Sequence, residues 1–412
     1  LRSFRQEQKD QPECSSYFIH VPKRAQEEHR SFTQRVRSFS QVQKDTPEFS
    51  SYPIHIFRSN YRSVSDQGFS IVELMIAMLV GLLLMGGAID VLLSSRQTNS
   101  LQVTLSKIQQ DGRLAINVLS TAIRMADYSG CYTDLSDGLE NTLKNQASFA
   151  WDLSDTIEGF DNVSASFTIS DAASGGAISS ILEGTDVLVI KGMADGVPIR
   201  SNPDSSTFTI DATLNNLNTG EILIVADCEQ ASMFQASSII SASDVTTILH
   251  AADGMTPDNN TATVTKSYET DAEIAKLVST VYYLKNDTSG IPGLFQSSLS
   301  VNSSGDTVSL VENQLVSNVE NMQIQYGVDN DDDQDVDTYD NAAAVTDWKT
   351  VISVRIALLL ASENDFLIDT DESYSFNNTS FTFTKDSTPT ADADRKLRRT
   401  FTGLMAFRNR TL

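Results

Sequence analysis

Histidine is almost missing from the greater part of this sequence. His20, His29 and His55 fall within the first 68 residues, and only His250 lies beyond them. A single histidine gives no Ser-His-Asp or Cys-His arrangement, and no His/Cys cluster has zinc-like spacing. Glycine-rich phosphate loops are lacking too. Cysteine is equally scarce: Cys14, then Cys131 and Cys228, which stand 97 positions apart and form no metal knuckle. If the body is exported to an oxidising compartment, Cys131 and Cys228 make one disulfide; if it is not, they are two buried thiols. Positive charge is thin. The chain holds 30 Lys/Arg against 54 Asp/Glu, a net of −24. Residues 1–68 carry 11 basic and 8 acidic residues, so the remainder holds 19 and 46, a net of −27. A body of that sign repels nucleic acid and anionic headgroups. These absences argue against an enzyme, against a nucleic-acid partner and against any required cofactor.

The first sixty residues contain a direct repeat. LRSFRQEQKDQPECSSYFIHVP, from Leu1, aligns with VRSFSQVQKDTPEFSSYPIHIF, from Val36, at an offset of 35 with 14 of 22 positions identical. Neither copy has helical or strand periodicity, and two copies are too few for a solenoid. The first methionine is Met75, inside the apolar run that follows. We therefore read residues 1–68 as a leader, much of it an overextended gene start ahead of a non-ATG start at Val64, and leave it out of the fold.

Residues 69–93 are almost wholly apolar and carry no charge apart from Glu73 and Asp90, close to the ~20 residues that span a bilayer as a helix. A carboxylate at bilayer depth costs roughly 2.5–3.5 kcal/mol, so Glu73 needs a partner or must reach the headgroup region. The helical pattern then continues as an amphipathic stretch over residues 94–130. Leu101, Leu105, Ile108, Ile116, Leu119 and Ile123 share one face. Gly112 reads as an interruption costing about 1 kcal/mol, and Gly130 as the stop. One helix of about 58 residues would be roughly 85–90 Å long at 1.5 Å per residue. Its first half belongs in lipid or in a polymer, and its second half under a globular head.

Residues 131–412 are written in short strands separated by Gly, Asn, Asp and Ser. Candidate strands are 187–190, 221–226, 281–284, 322–326, 351–359, 380–384 and 401–407, with a short helix over 271–279. No crossover helices separate them, which favours antiparallel sheet and an α+β fold. One run stands out: DNDDDQDVDTYD, residues 329–340. Asp329, Asp331, Asp333, Asp335, Asp337 and Asp340 fall at positions 1, 3, 5, 7, 9 and 12 of a calcium-loop register. Gln334 replaces the turn glycine at position 6, so a solvated acidic hairpin competes with Ca2+ binding as the reading.

GFSIVEL, residues 68–74, resembles the leader junction of type IV pilins and of secretion pseudopilins. Further blocks resemble the PilW-like minor pilins: SSRQTNSLQVTLSKIQQDGRLAINVLSTAIRMADYSGC (94–131), VADCEQASMFQ (225–235), VENMQIQYGVDNDDD (319–333), DWKTVISVRIALLL (347–360) and RKLRRTFTGLMAFRN (395–409). The resemblance implies a long N-terminal helix packed on a β-rich head. It implies that a prepilin peptidase cuts after Gly68 and methylates Phe69. It further implies that Glu73, then the fifth residue, neutralises the N-terminal amine of a neighbouring subunit as it docks. The expected partners are other minor pilins, the major pilin, the inner-membrane assembly platform and a tip adhesin. The head would face the periplasm before assembly and the pilus surface after it. Two departures stand against the pattern: the leader is long, and Asp66 and Gln67 occupy positions where a basic residue is common, although Arg58 and Arg62 could hold the leader in the cytoplasm. A type II secretion pseudopilin and an uncut, signal-anchored surface protein remain as rivals.

Overall fold

The computed structural model describes residues 68–132, 134–171, 176–201, 204–211, 217–363, 372–376, 379–383 and 395–410. The repeat, Cys14, Val64, and the leader positions up to Gln67 lie outside the described residues. The chain forms two compact units, Leu1–Leu79 and Val80–Leu412. Of the first, the described part is residues 68–70 and the opening turns of a helix.

That helix, α1 (Ile71–Met125), is 55 residues long. Leu, Ile, Met and Ala dominate its first part, all residues that lose little in a helix. It is long and apolar enough to cross a membrane, and none of its most apolar window is buried. From Thr104 onward one face is buried: Thr104, Ile108, Gly112, Ala115, Leu119 and Ile123, in steps of four, four, three, four and four. Ile108, Leu119 and Ile123 belong to the main core, and each such side chain contributes about 1.5–3 kcal/mol by leaving water. Leu101, Leu105 and Ile116 are half-buried. Gly112 does not interrupt the helix. A Cβ there would lie 2.5 Å from ring carbons of Phe401, so the glycine is the seat for that ring. Nor does α1 run to Gly130. It ends at Met125, because Asp127 takes a left-handed conformation, φ 60, which Asp tolerates better than most residues.

The strands follow in chain order. The first group is β1 (Glu140–Asn141), β2 (Ile157–Phe160), β3 (Ile169–Asp171), β4 (Gly176–Ile178), β5 (Val187–Met193) and β6 (Val197–Ser201). Next come β7 (Thr207–Asp211), β8 (Ile222–Ala226), β9 (Ala231–Gln235), β10 (Ser238–Ala242) and β11 (Val245–Leu249). The long strands are β12 (Glu273–Asn286), β13 (Pro292–Val301), β14 (Val308–Ser317) and β15 (Val319–Val328). The last are β16 (Thr338–Asp340), β17 (Val351–Ala361), β18 (Glu372–Phe376), β19 (Thr379–Phe383) and β20 (Arg398–Ala406).

Among the described residues every strand pair is antiparallel except β1 with β9. The fold is α+β. A four-stranded sheet in the order β16-β15-β17-β20 supplies Ile324, Tyr326, Val354, Ile356, Leu358 and Met405 to the core that also holds Ile108, Leu119 and Ile123. The larger sheet is organised by β12. Its first residues pair with β6 and β8, and the rest pairs with β5 and β13. The short helix expected over 271–279 is therefore not formed. Ala275, Leu277 and Ser279 on one side and Ile274 and Thr280 on the other are all buried, and a strand buried on both faces loses the alternation that marks it in sequence. A second core surrounds the fully buried Trp151 with Leu135, Leu143, Ile224 and Met233.

Candidate functional site

Ser70 starts α1. Its hydroxyl accepts from the Val72 amide at 3.3 Å, and its carbonyl accepts from the Leu74 amide at 3.1 Å. Ser70 and Glu73 have the spacing of a capping box, S-x-x-E, a signal present in the sequence but overlooked beside the apolar run. Glu73 lies in the first helical turn, where a carboxylate complements the helix dipole, and it is exposed with no ion-pair partner among the described residues. Phe69 is exposed, and nothing lies within 4 Å of where a Cβ on Gly68 would be. Among the described residues nothing packs against the peptide between Gly68 and Phe69.

The other end of α1 is fastened by covalent, ionic and hydrogen bonds. Cys131 and Cys228 are joined as a disulfide, with Cα atoms 4.7 Å apart. Cys228 follows β8 by two residues, so the bridge ties the segment after the helix to the larger sheet. Arg410 donates through Nε to Asp127 Oδ2 at 2.7 Å, through Nη1 to the carbonyls of Trp348 and Val351, and through Nη2 to Thr156 Oγ1 at 2.9 Å. Asn409 donates to the Ala126 carbonyl at 3.0 Å. Two adjacent residues therefore satisfy the helix end and link it to β17. Arg398, fully buried, makes a two-pronged pair with Glu320, at 2.6 and 3.1 Å, tying β20 to β15 across the intervening β17. No spacing in the sequence announced these partners.

The acidic run is the connection between β15 and β16. Asp329 is buried, and its carboxylate accepts from the amides of Asp331 (3.2 Å), Asp332 (2.8 Å) and Gln334 (2.8 Å). Desolvation opposes ionisation there, but these amides outweigh it and hold the carboxyl below its ordinary range. Asp331 is pushed the other way, by the charges of Asp333 and then Asp337. Carboxylate oxygens of Asp329, Asp331 and Asp333 lie within 4.8 Å of one another. Asp335, Asp337 and Asp340 do not join them. Asp337 instead accepts from the Asn330 amide, and the register Tyr326↔Asp340 and Val328↔Thr338 draws Asp340 into the ladder. The twelve-residue register expected from the sequence is thereby reduced to three carboxylates. Gln334, standing where a turn glycine was expected, adopts a left-handed φ of 69.

Compared with known families, residues 281–409 match the family described as Type IV Pilus-assembly protein W, and residues 65–89 match the prokaryotic N-terminal methylation motif. These two matches, one in the head and one at the start of the apolar helix, support a PilW-like type IV pilin. No curated protein and no solved structure matches it. The pilin's resembling blocks at 319–333, 347–360 and 395–409 fall inside the first match, and residues 68–74 inside the second; those at 94–131 and 225–235 fall in neither. The first match therefore takes in the four-stranded sheet, Arg398, Glu320 and Asn409. PilW proteins are pilus-assembly components rather than a known enzyme family.

Proposed function

We propose that this pilin is a minor subunit of a type IV pilus that joins other minor pilins to prime fibre assembly near the tip. In this reading a prepilin peptidase cuts after Gly68 and methylates Phe69. Residues 69–93 then hold the subunit in the inner membrane until the assembly platform passes it, with the major pilin, into the fibre, where a tip adhesin joins it. The observation that carries the reading is the open Gly68–Phe69 junction directly ahead of a 55-residue helix whose apolar window is unburied.

Glu73 is the test. Cleavage creates an ammonium at Phe69, and an unpaired ammonium and carboxylate in lipid are each costly, whereas opposite charges at low dielectric attract strongly and fix axial register. Glu73→Ala is expected to be cleaved and inserted but left out of pili, whereas Asp90→Ala, near the far end of the run, is tolerated better. Wild-type incorporation of the Glu73→Ala protein, measured by immunoblot of sheared pili, would overturn the docking role. Gly68→Val is expected to leave unprocessed precursor in the membrane.

We further propose that Asp329, Asp331 and Asp333 take Ca2+, because three clustered carboxylates on an acidic body repel one another until a cation neutralises them. Millimolar calcium should then raise the melting temperature of the purified pilin. An unchanged melting temperature rejects the ion.

A further inference from the structure

A second feature of α1 is carried by its exposed side. Three four-residue units recur at a step of eleven: Leu101-Gln102-Val103-Thr104, Gly112-Arg113-Leu114-Ala115 and Ile123-Arg124-Met125-Ala126. In each unit the outer two residues are buried or half-buried against the head and the middle two face solvent. Eleven residues make three helical turns plus about 20°, so each unit repeats about 16 Å further along nearly one line. Val103, Leu114 and Met125 are 62%, 48% and 41% exposed. Beyond residue 93 the only other exposed large hydrophobics among the described residues are Ile240, Val311 and Leu404. Half of that set thus lies on one line.

The charges beside this line are as selective. Residues 94–125 hold four basic residues and one acidic one, on a protein whose net charge is −24. Lys107 pairs with Glu363, Lys144 with Asp258, Lys276 with Glu221, Lys349 with Asp134 and Arg410 with Asp127. Among the described residues beyond 93, the lysines and arginines are all engaged in this way or by other polar or ring contacts, except Arg96, Arg113, Arg124 and Arg408. Arg113 and Arg124 each precede an exposed apolar residue of the line. Arg408 shares a groove with Arg124, Met125, Tyr128 and Tyr132, with Asp195 also lining it. Arginines surrounded by an excess of carboxylates, yet paired with none of them, are free to take carboxylates from outside.

We infer that this line docks a helix of a partner subunit carrying acidic side chains beside apolar ones at the same three-turn spacing. The inference rests on the assembly role proposed above and names the surface chemistry of one of its partners. Over residues 94–125 a second copy of this chain offers the same excess of positive charge, four basic residues against one acidic, rather than the carboxylates the arginines would take. Apolar contact supplies the contact area, and the arginines select the partner and fix its register, as charges at an interface do.

The test uses the full chain, disulfide intact, in lipid nanodiscs. Two fluorescent helical peptides carry leucines eleven residues apart, flanked by Glu in one and by Lys in the other. The Glu peptide should bind at least tenfold tighter, and the double variant Arg113→Glu, Arg124→Glu should reverse that preference, which mere loss of folding cannot do. Leu114→Ser with Met125→Ser should weaken both peptides by at least tenfold. Equal binding of the two peptides, or a preference that survives the charge reversal, overturns the inference. A photo-crosslinker at Leu114 in cells should trap a helix of another pilin-type subunit next to an acidic residue; adducts with a second copy of this chain or with lipid overturn it as well. Glu73→Ala is scored in the same cells. If that variant is excluded from pili while the charge preference is absent, the docking line falls and the assembly role stands.

Discussion

One helix obeys two sets of rules. Over residues 71–93 α1 is apolar apart from Glu73 and Asp90, and its glycines, Gly81, Gly86 and Gly87, have nothing within 4 Å of a would-be Cβ. Over residues 104–125 it is two-sided, and Gly112 has a phenyl ring pressed onto it. The same residue type is thus slack in one region and a fitted part in the other. The difference shows that the backbone conformation is shared while the selecting environment is not: the first region is suited to lipid or neighbouring helices, the second to one particular sheet.

The largest expected effect isolates the second region. Cys131→Ser removes a bridge closing a 97-residue separation, and in the chain-entropy model this costs roughly 4–5 kcal/mol. Guanidinium titration of the purified pilin should show it, while membrane insertion, which depends on residues 69–93, is unaltered. A change below 1 kcal/mol would mean that Arg410 and Asn409 hold the helix end without the bridge. The next effect sets the two regions directly against each other. Gly112→Ala should destabilise the head by about 1–3 kcal/mol through overpacking against Phe401. Gly86→Ala should leave the head unchanged and favour the helix by up to about 1 kcal/mol. Equal outcomes, read by thermal melts, would erase the distinction.

The smallest effect is on pH, and it belongs to the head alone. His250 is buried against Phe234, and desolvation pushes its pKa down to about 4 from 6.5. Between those values the unfolded chain binds the proton and the folded one does not, so stability falls as pH drops from 6.5 towards 4. Asp186 acts oppositely. Burial raises its carboxyl to about 7 despite hydrogen bonds from the amides of Asn162 and Ile324, so its contribution weakens as pH rises from about 4 to 7. The two slopes largely cancel in the wild type. His250→Leu should expose a stability that falls with rising pH, and Asp186→Asn one that rises, each by up to about 1.4 kcal/mol per pH unit. Denaturant midpoints at pH 4, 5, 6 and 7 distinguish them; two flat profiles would remove both groups from the account.

Much of this was legible in the residues. The apolar run and the strands read at 322–326 and 351–359 announce themselves because their signals are local and contiguous, while GFSIVEL was read through its resemblance to a family. The pairing of Cys131 with Cys228 was legible only on condition of export. What escaped depends on residues far away in the chain. Gly112 could not be told from a helix breaker without Phe401, and Asp127 could not be seen as the helix end without Arg410. Of the strand at 273–286 the stretch 281–284 was legible, and the part before it hid because it is buried on both sides. In the acidic run, spacing suggested six ligands, but strand pairing engages Asp340 and the Asn330 amide engages Asp337, and the carboxylates that lie together are those of Asp329, Asp331 and Asp333.

The anchors of α1 also impose an order on biogenesis. Asn409 holds Ala126 from 283 residues away, and the sheet covering Ile108 and Leu119 is built from β15, β17 and β20. A ribosome makes the helix first and its cover last. While the intervening chain is being made, the apolar face of residues 104–123 has nothing of its own to rest on, and contacts this distant in sequence form slowly. A nascent chain in this interval therefore presents an amphipathic rod whose apolar face is uncovered until the final strand arrives.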